Sequence, residues 1–197
     1  MKLYDLEVSG NCYKVRLFAA LTGIKLELIP VDFMAGEHKQ EPVIGINPLG
    51  QLPVLCDGEV KLWDSQAILV YLAGQYADES WFPKEPIAQA EVMQWLSTAA
   101  NEIQHGPGAA RLVDKFGFEL DKATALATAD RILPILETQL AQHDWLALDR
   151  PTIADCAVMP YVGISHEGGV SLESYPNIRA WIDRIKGLPG FITMPAL

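Results

Sequence analysis

The spacing of apolar and polar positions divides the chain into a mixed first part and a helical second part. Leu3, Leu6 and Val8 mark a strand over residues 2–8, and Val15, Leu17, Phe18 and Leu21 mark a helix over 11–21. Gly23 sits where a helix ends on a left-handed residue. Residues 26–31 read as a second strand. A loose polar stretch over 34–41 follows, then one helical turn before Asn47-Pro48. Pro53-Val54-Leu55-Cys56 and Val60-Lys61-Leu62-Trp63 flank Asp57-Gly58, a hairpin signal. Residues 65–76 read as a helix with Ile68, Leu69 and Leu72 facing inward. This order is βαβαββα.

A polar segment with two prolines then separates the first part from purely helical periodicity. The expected division is residues 1–77, a linker at 78–87, and an all-α domain at 88–197. In the last, Val92, Trp95, Leu96, Ala99 and Ile103 form one stripe, broken or kinked at His105-Gly106-Pro107-Gly108. Leu126, Leu133, Leu136 and Leu140 form another, with a kink expected at Pro134. Two further helices cover 152–164 and 175–186. Thr152-Ile153-Ala154-Asp155 is a capping box with Asp in place of Glu, a structural feature.

Composition narrows the function. A formal net charge of −10 over 197 residues excludes nucleic acid and anionic membranes as partners, since both need a basic patch. An anionic ligand must then be held by local donors. No apolar run is long enough to span a bilayer, and the acidic start does not read as a signal peptide. The three cysteines, Cys12, Cys56 and Cys156, show no metal-ligand spacing and fit a reduced cytoplasmic protein. The four histidines form no metal-binding pair, so no metal is expected.

Three short segments carry candidate chemistry. Ser9-Gly10-Asn11-Cys12 stands where a thioredoxin-type fold places C-x-x-C, with Ser9 at the first cysteine's position. A dithiol cycle within it is excluded, and Cys12 reads as structural. Ser9 and Asn11 are each readable as a helix N-cap, and the Ser9 hydroxyl equally as a donor to a bound thiolate. Gln51-Leu52-Pro53 heads a strand. Its proline is either an ordinary edge residue or a cis residue that turns the Leu52 backbone outward to pair with an extended peptide. Asp64-Ser65 opens a helix. In isolation it is a cap; functionally it matches an α-amino acid head group, with Asp64 for the ammonium and the helix N-terminus with Ser65 for the carboxylate. His38, in the loose loop, is within reach of a ligand carboxylate.

In this order the segments resemble the cytosolic glutathione transferase family, over essentially the whole chain. Asn47-Pro48-Leu49-Gly50-Gln51-Leu52-Pro53-Val54-Leu55 is similar to its N-P-x-G-x-V-P-x-L segment. Asp64-Ser65-Gln66-Ala67-Ile68 is similar to its E-S-x-A-I segment, with Asp one methylene shorter than Glu. The resemblance implies a thioredoxin-like α/β N-terminal domain and an all-α C-terminal domain. It implies that Ser9, of the theta-like or beta-like kind, or Asn11, stabilises the thiolate. Leu52 and Pro53 would hold the cysteinyl part of glutathione, Asp64 and Ser65 the γ-glutamyl end, and His38 and Gln51 the glycyl carboxylate. An acceptor pocket for a hydrophobic electrophile would take Tyr13, Gln104, His105 and Arg111. Glutathione is then a co-substrate, no cofactor is bound permanently, and the protein is a homodimer. A glutathione-dependent disulfide reductase or peroxidase, and a non-catalytic binding module, are the alternative activities on this fold.

Overall fold

The computed structural model describes all residues, 1–197. They form two compact units, Met1–Asp78 with Pro189–Pro195, and Glu79–Leu188 with Ala196–Leu197.

The first unit contains β1 (Lys2–Asp5), α1 (Gly10–Thr22), β2 (Glu27–Pro30), α2 (Val43–Ile46), β3 (Val54–Asp57), β4 (Val60–Trp63) and α3 (Ser65–Tyr76), with a 3₁₀ turn at Glu37–Lys39. The sheet order is β2-β1-β3-β4. β1 runs parallel to β2, as the α1 crossover requires, and β3 is antiparallel to both β1 and β4. β1 is shorter than its apolar pattern suggests. After Asp5 the chain turns, with the Ser9 amide donating to the Leu6 carbonyl at 2.9 Å, so that Ser9 can open α1. Asp57 pairs with Val60, which makes the hairpin loop Gly58-Glu59, one place later than the sequence suggested. Gly58 takes the positive φ, 58°, that such a loop needs.

Leu3, Val15, Leu17, Phe18, Val54, Leu55, Ile68, Leu69 and Leu72 are completely buried. Each such side chain contributes roughly 1.5–3 kcal/mol relative to exposure. Gly23 ends α1 at φ 71°, its amide donating to Ala19 and Ala20. Residues Pro189–Pro195 pack with this unit, contrary to the expectation that they belong to an all-α segment reaching residue 197. The reason is local. The Tyr13 hydroxyl donates to the Ile192 carbonyl at 2.6 Å, and Gly190, at φ 85°, passes so close to the Ala20 carbonyl that a Cβ would lie 2.6 Å from it.

The second unit holds α4 (Pro86–Thr98), a π-helical stretch (Ala99–Gly108), α5 (Ala109–Phe116), α6 (Lys122–Leu140), α7 (Ile153–Gly163) and α8 (Pro176–Lys186). Val92, Leu96, Ala99 and Ile103 form the buried stripe, while Trp95 is half-buried. The expected break is a kink at Gly106 (φ −92°, ψ −105°). The capping box at Thr152 is formed, with the Thr152 hydroxyl accepting from the Ala154 amide and Asp155 Oδ2 from the Thr152 amide. Asp155 Oδ1 also accepts from the Leu146 amide at 3.1 Å and from Trp181 Nε1 at 2.9 Å, so one buried carboxyl ties α7 to the segment before it and to α8. Burial pushes its pKa up to about 6, against those hydrogen bonds. No helix is long and apolar enough to cross a membrane.

Candidate active site

Ser9 is the N-cap of α1, in an extended conformation (φ −79°, ψ 123°), and its Oγ accepts from the Cys12 amide at 3.3 Å. That bond uses a lone pair and leaves the hydroxyl hydrogen to donate. The cap and thiolate-donor readings of Ser9 are therefore compatible. The first turn of α1 contains no acidic residue, so nothing on the helix offsets its positive end.

Cys12 is completely buried. Burial above all, then the Asp5 charge, pushes its thiol up to about 12, against a hydrogen bond from the Ser9 side chain. A neutral thiol is a weak acceptor and does not compete with a thiolate for the Ser9 hydrogen. Cys12 is thus packing material, as its sequence position suggested.

Asn11 is half-buried, and its Oδ1 lies 3.5 Å from the Ser65 hydroxyl, a contact at the outer limit of a hydrogen bond. Ser65 directs its hydroxyl more closely at Gln66 Oε1, 2.5 Å away. The two residues nevertheless bring the start of α1 and the start of α3 together.

The Leu52-Pro53 bond is cis. The Leu52 side chain packs against the cluster formed by Val31, Val43 and Val54. The first residue of β3 in the ladder is Val54, so strand pairing does not use the Leu52 backbone. Asn47, 1 % exposed, fastens this loop from beneath, its Nδ2 donating to the Gln51 carbonyl and its Oδ1 accepting from the Leu49 amide. In the sequence Asn47 stood out only as the residue after a helical turn and as the start of the Asn47–Leu55 segment, with no role of its own. Its Asx-type bonding, a known habit of Asn before Pro-rich turns, was the available clue.

Asp64 has a positive φ of 73° and is the N-cap of α3. Its Oδ1 accepts from both the Gln66 and Ala67 amides at 3.0 Å, so capping engages one carboxylate oxygen and not Oδ2. Ser65 is buried beside it. Lys14 of α1, also completely buried, feels the Asp64 charge. Burial drives the Lys14 ammonium down to about 7, and Asp64 opposes that fall.

His38 is 6 % exposed and stacks on Phe33, ring centroids 4.0 Å apart. Burial, then the Lys39 charge, lowers its pKa, so the ring is neutral at neutral pH and offers hydrogen bonds rather than charge. The His38 carbonyl sits against Gly50, next to the exposed Gln51, which brings these two predicted residues into one neighbourhood.

The expected acceptor residues fare differently. Gln104 is half-buried and His105 exposed on the π-helical stretch, with His105 Nδ1 2.9 Å from the Asn101 carbonyl. Tyr13 and Arg111 do not line an open surface. Tyr13 is completely buried, with its hydroxyl on Ile192, and Arg111 is 2 % exposed, with Nε 2.5 Å from Glu167. In both, the helical face expected to meet solvent is covered, Tyr13 by the 189–195 tail and Arg111 by the segment carrying Glu167.

Residues 1–74 match the glutathione S-transferase N-terminal domain, and residues 89–189 the glutathione S-transferase C-terminal domain. Among curated relatives, glutathione S-transferase 3 of Zea mays is 30 % identical over 97 % of this chain and 91 % of its own. Glutathione S-transferase D7 of Anopheles gambiae is 34 % identical over 93 % of this chain and 85 % of its own. Among solved structures, the glutathione S-transferase of Pseudomonas fluorescens is similar at 30 % identity, with TM-score 0.91 over 98 % of each chain. The delta-class glutathione transferase of Nilaparvata lugens is 30 % identical, with TM-score 0.86 over 96 % of this chain and 90 % of its own. The chain belongs to the glutathione S-transferase family.

Proposed function

We propose that this glutathione transferase ionises the thiol of bound glutathione with Ser9 and directs the thiolate at the electrophilic carbon of a small hydrophobic molecule. The carrying observation is the Ser9 hydroxyl, which caps α1 through its oxygen and so has its hydrogen able to donate to a thiolate, a stronger acceptor than the neutral Cys12 thiol. The sulfur forms a bond to carbon, the leaving group departs with its electron pair, and the thiol proton goes to solvent. Lowering a thiol pKa from ~8.5 by two units requires about 2.7 kcal/mol. One hydrogen bond to the charged sulfur supplies roughly 1.5–3 kcal/mol, and the helix end adds roughly 0.3–1 kcal/mol. Those two contributions suffice without a general base.

The remaining roles are carried by the family resemblance, and the placements support them. The Leu52 backbone, outside the β ladder, pairs with the cysteinyl unit of glutathione. Asp64 Oδ2 takes the γ-glutamyl ammonium and the start of α3 with Ser65 takes its carboxylate. His38 and Gln51 meet the glycyl carboxylate. Asn11 supports the start of α3 through Ser65 and is the second candidate donor to the thiolate. Gln104 and His105 remain candidates for the acceptor side. The protein works as a cytoplasmic homodimer, a proposal supported by its family and by three free cysteines.

The test is retention on immobilised glutathione, followed by rates with an aryl halide and with a mixed glutathione disulfide. Retention with a faster aryl halide reaction is expected. Retention with only the disulfide reacting overturns the transferase assignment in favour of a reductase. Failure to bind leaves a non-catalytic module.

A further inference from the structure

Arg16 of α1 is 9 % exposed, and its guanidinium makes two bonds to different parts of the fold. Nη1 donates to Asp5 Oδ2, at the end of β1, at 2.6 Å. Nη2 donates to the Glu7 carbonyl at 2.7 Å. Glu7 lies inside the turn that closes when the Ser9 amide meets the Leu6 carbonyl, so Arg16 grips the turn that delivers Ser9. The guanidinium carbon lies 5.9 Å from the centre of the Tyr13 ring, and Tyr13 is itself anchored on Ile192. The cation is thereby held on several sides.

A buried ion pair is a poor source of stability, because desolvation offsets most of its attraction. The Asp5–Arg16 pair is better explained by what the second arm of the guanidinium does. A planar fork can hold a carboxylate and a carbonyl in fixed directions at once, which the compact lysine ammonium does not reproduce. Hydrogen bonds weaken steeply as they lose alignment. The direction of the Ser9 hydroxyl therefore depends on how firmly the Leu6–Ser9 turn is held.

We infer that Arg16 is a positioning residue for Ser9: by joining Asp5 of β1 to the Glu7 carbonyl, it aims the Ser9 hydroxyl at the glutathione thiolate. This inference rests on the Ser9 reading above. It predicts that loss of the fork harms thiol ionisation and spares glutathione binding, because Leu52, Asp64 and Ser65 are untouched.

The test is the pH profile of the aryl halide reaction, with KM for glutathione, in the wild type, Ser9→Ala, Arg16→Lys, and the double variant Asp5→Asn/Arg16→Met. Arg16→Lys keeps a charge for Asp5. The double variant removes both charges together, so neither is left buried alone, and it serves if Arg16→Lys does not fold. Both are expected to raise the apparent thiol pKa by about one unit, from ~6.5 to ~7.5, a roughly threefold loss of thiolate at pH 7. KM for glutathione should stay within about twofold of wild type. Adding Arg16→Lys to Ser9→Ala should raise the pKa no further, because the effect passes through Ser9. If Ser9→Ala raises the pKa and the Arg16 variants do not, Arg16 is only structural and this inference falls while the Ser9 reading stands. If Ser9→Ala leaves the pKa unchanged, both fall.

Discussion

Lys14 of α1 is completely buried, and the Asp64 carboxylate at the start of α3 acts on its charge. Burial outweighs that attraction, so the ammonium titrates at about 7 instead of 10.5. The unfolded chain thus binds more protons between those two values, and stability rises with pH across that window. Below pH 7 the protein carries the full cost of the buried charge. The fall from 10.5 to about 7 sets a ceiling of about 5 kcal/mol, at ~1.4 kcal/mol per pH unit. Lys14→Met, close in shape and uncharged, should be more stable than wild type at pH 6.5, with an advantage that shrinks toward pH 10. Urea unfolding across that range checks this. A constant difference at every pH contradicts it.

Both capping bonds of Asp64 fall on Oδ1, which leaves Oδ2 for the binding duty proposed above. Asp64→Asn should keep the cap and tolerate the positive φ, so at pH 8, where Lys14 is mostly neutral, its melting temperature should match wild type. Loss of the charge should raise KM for glutathione by about tenfold, the lower range expected for a charged hydrogen bond. Asp64→Ala should add a stability loss of about 1 kcal/mol from the missing cap. Steady-state kinetics and thermal unfolding of the pair separate the two duties. An unchanged KM in Asp64→Asn removes Asp64 from the ligand site.

Asp155 governs the second unit. Its carboxyl is the meeting point of Thr152, Leu146 and Trp181. Asp155→Ala strands three buried donors, at roughly 1–3 kcal/mol each, and should fail to accumulate as folded protein at 37 °C. The pH effect has a definite sign. The native pKa, about 6, lies above the ordinary 3.8. Its contribution to stability is therefore complete below about pH 3.8 and lost as pH rises through 6, by up to ~3 kcal/mol. Wild type measured against Asp155→Asn should lose relative stability between pH 4 and 6.5. A relative gain over that interval contradicts the assignment.

The parts of the fold written in periodicity were legible. The four strands, α3 and the stripe through Val92 and Ile103 follow from the spacing of apolar residues. The positions of Ser9, Leu52-Pro53 and Asp64-Ser65 at the junctions between elements were legible, because sequence and backbone geometry are most tightly coupled there. Lys14, Arg16 and Tyr13 were not. On an amphipathic helix such residues read as a solvent face, yet every residue from Cys12 to Ala19 of α1 is buried. The cover comes partly from the 189–195 tail, a Pro- and Gly-containing segment with no period to reveal its partner. The burial of Arg111 escaped the sequence for the same kind of reason, because Glu167, distant in sequence, closes over it.

The central claim is that Ser9 ionises the thiol of bound glutathione. Titrating the thiol of bound glutathione in wild type and in Ser9→Ala addresses it directly. Wild type should show a thiol pKa about two units below the free value of ~8.5, and Ser9→Ala should return it by about one to two units, the worth of a hydrogen bond to a charged group. KM for glutathione should be nearly unchanged in the variant, because the residues proposed to bind it remain. A Ser9→Ala protein whose bound thiol titrates where the wild type does, with full activity on an aryl halide, contradicts the claim and moves the donor role to Asn11.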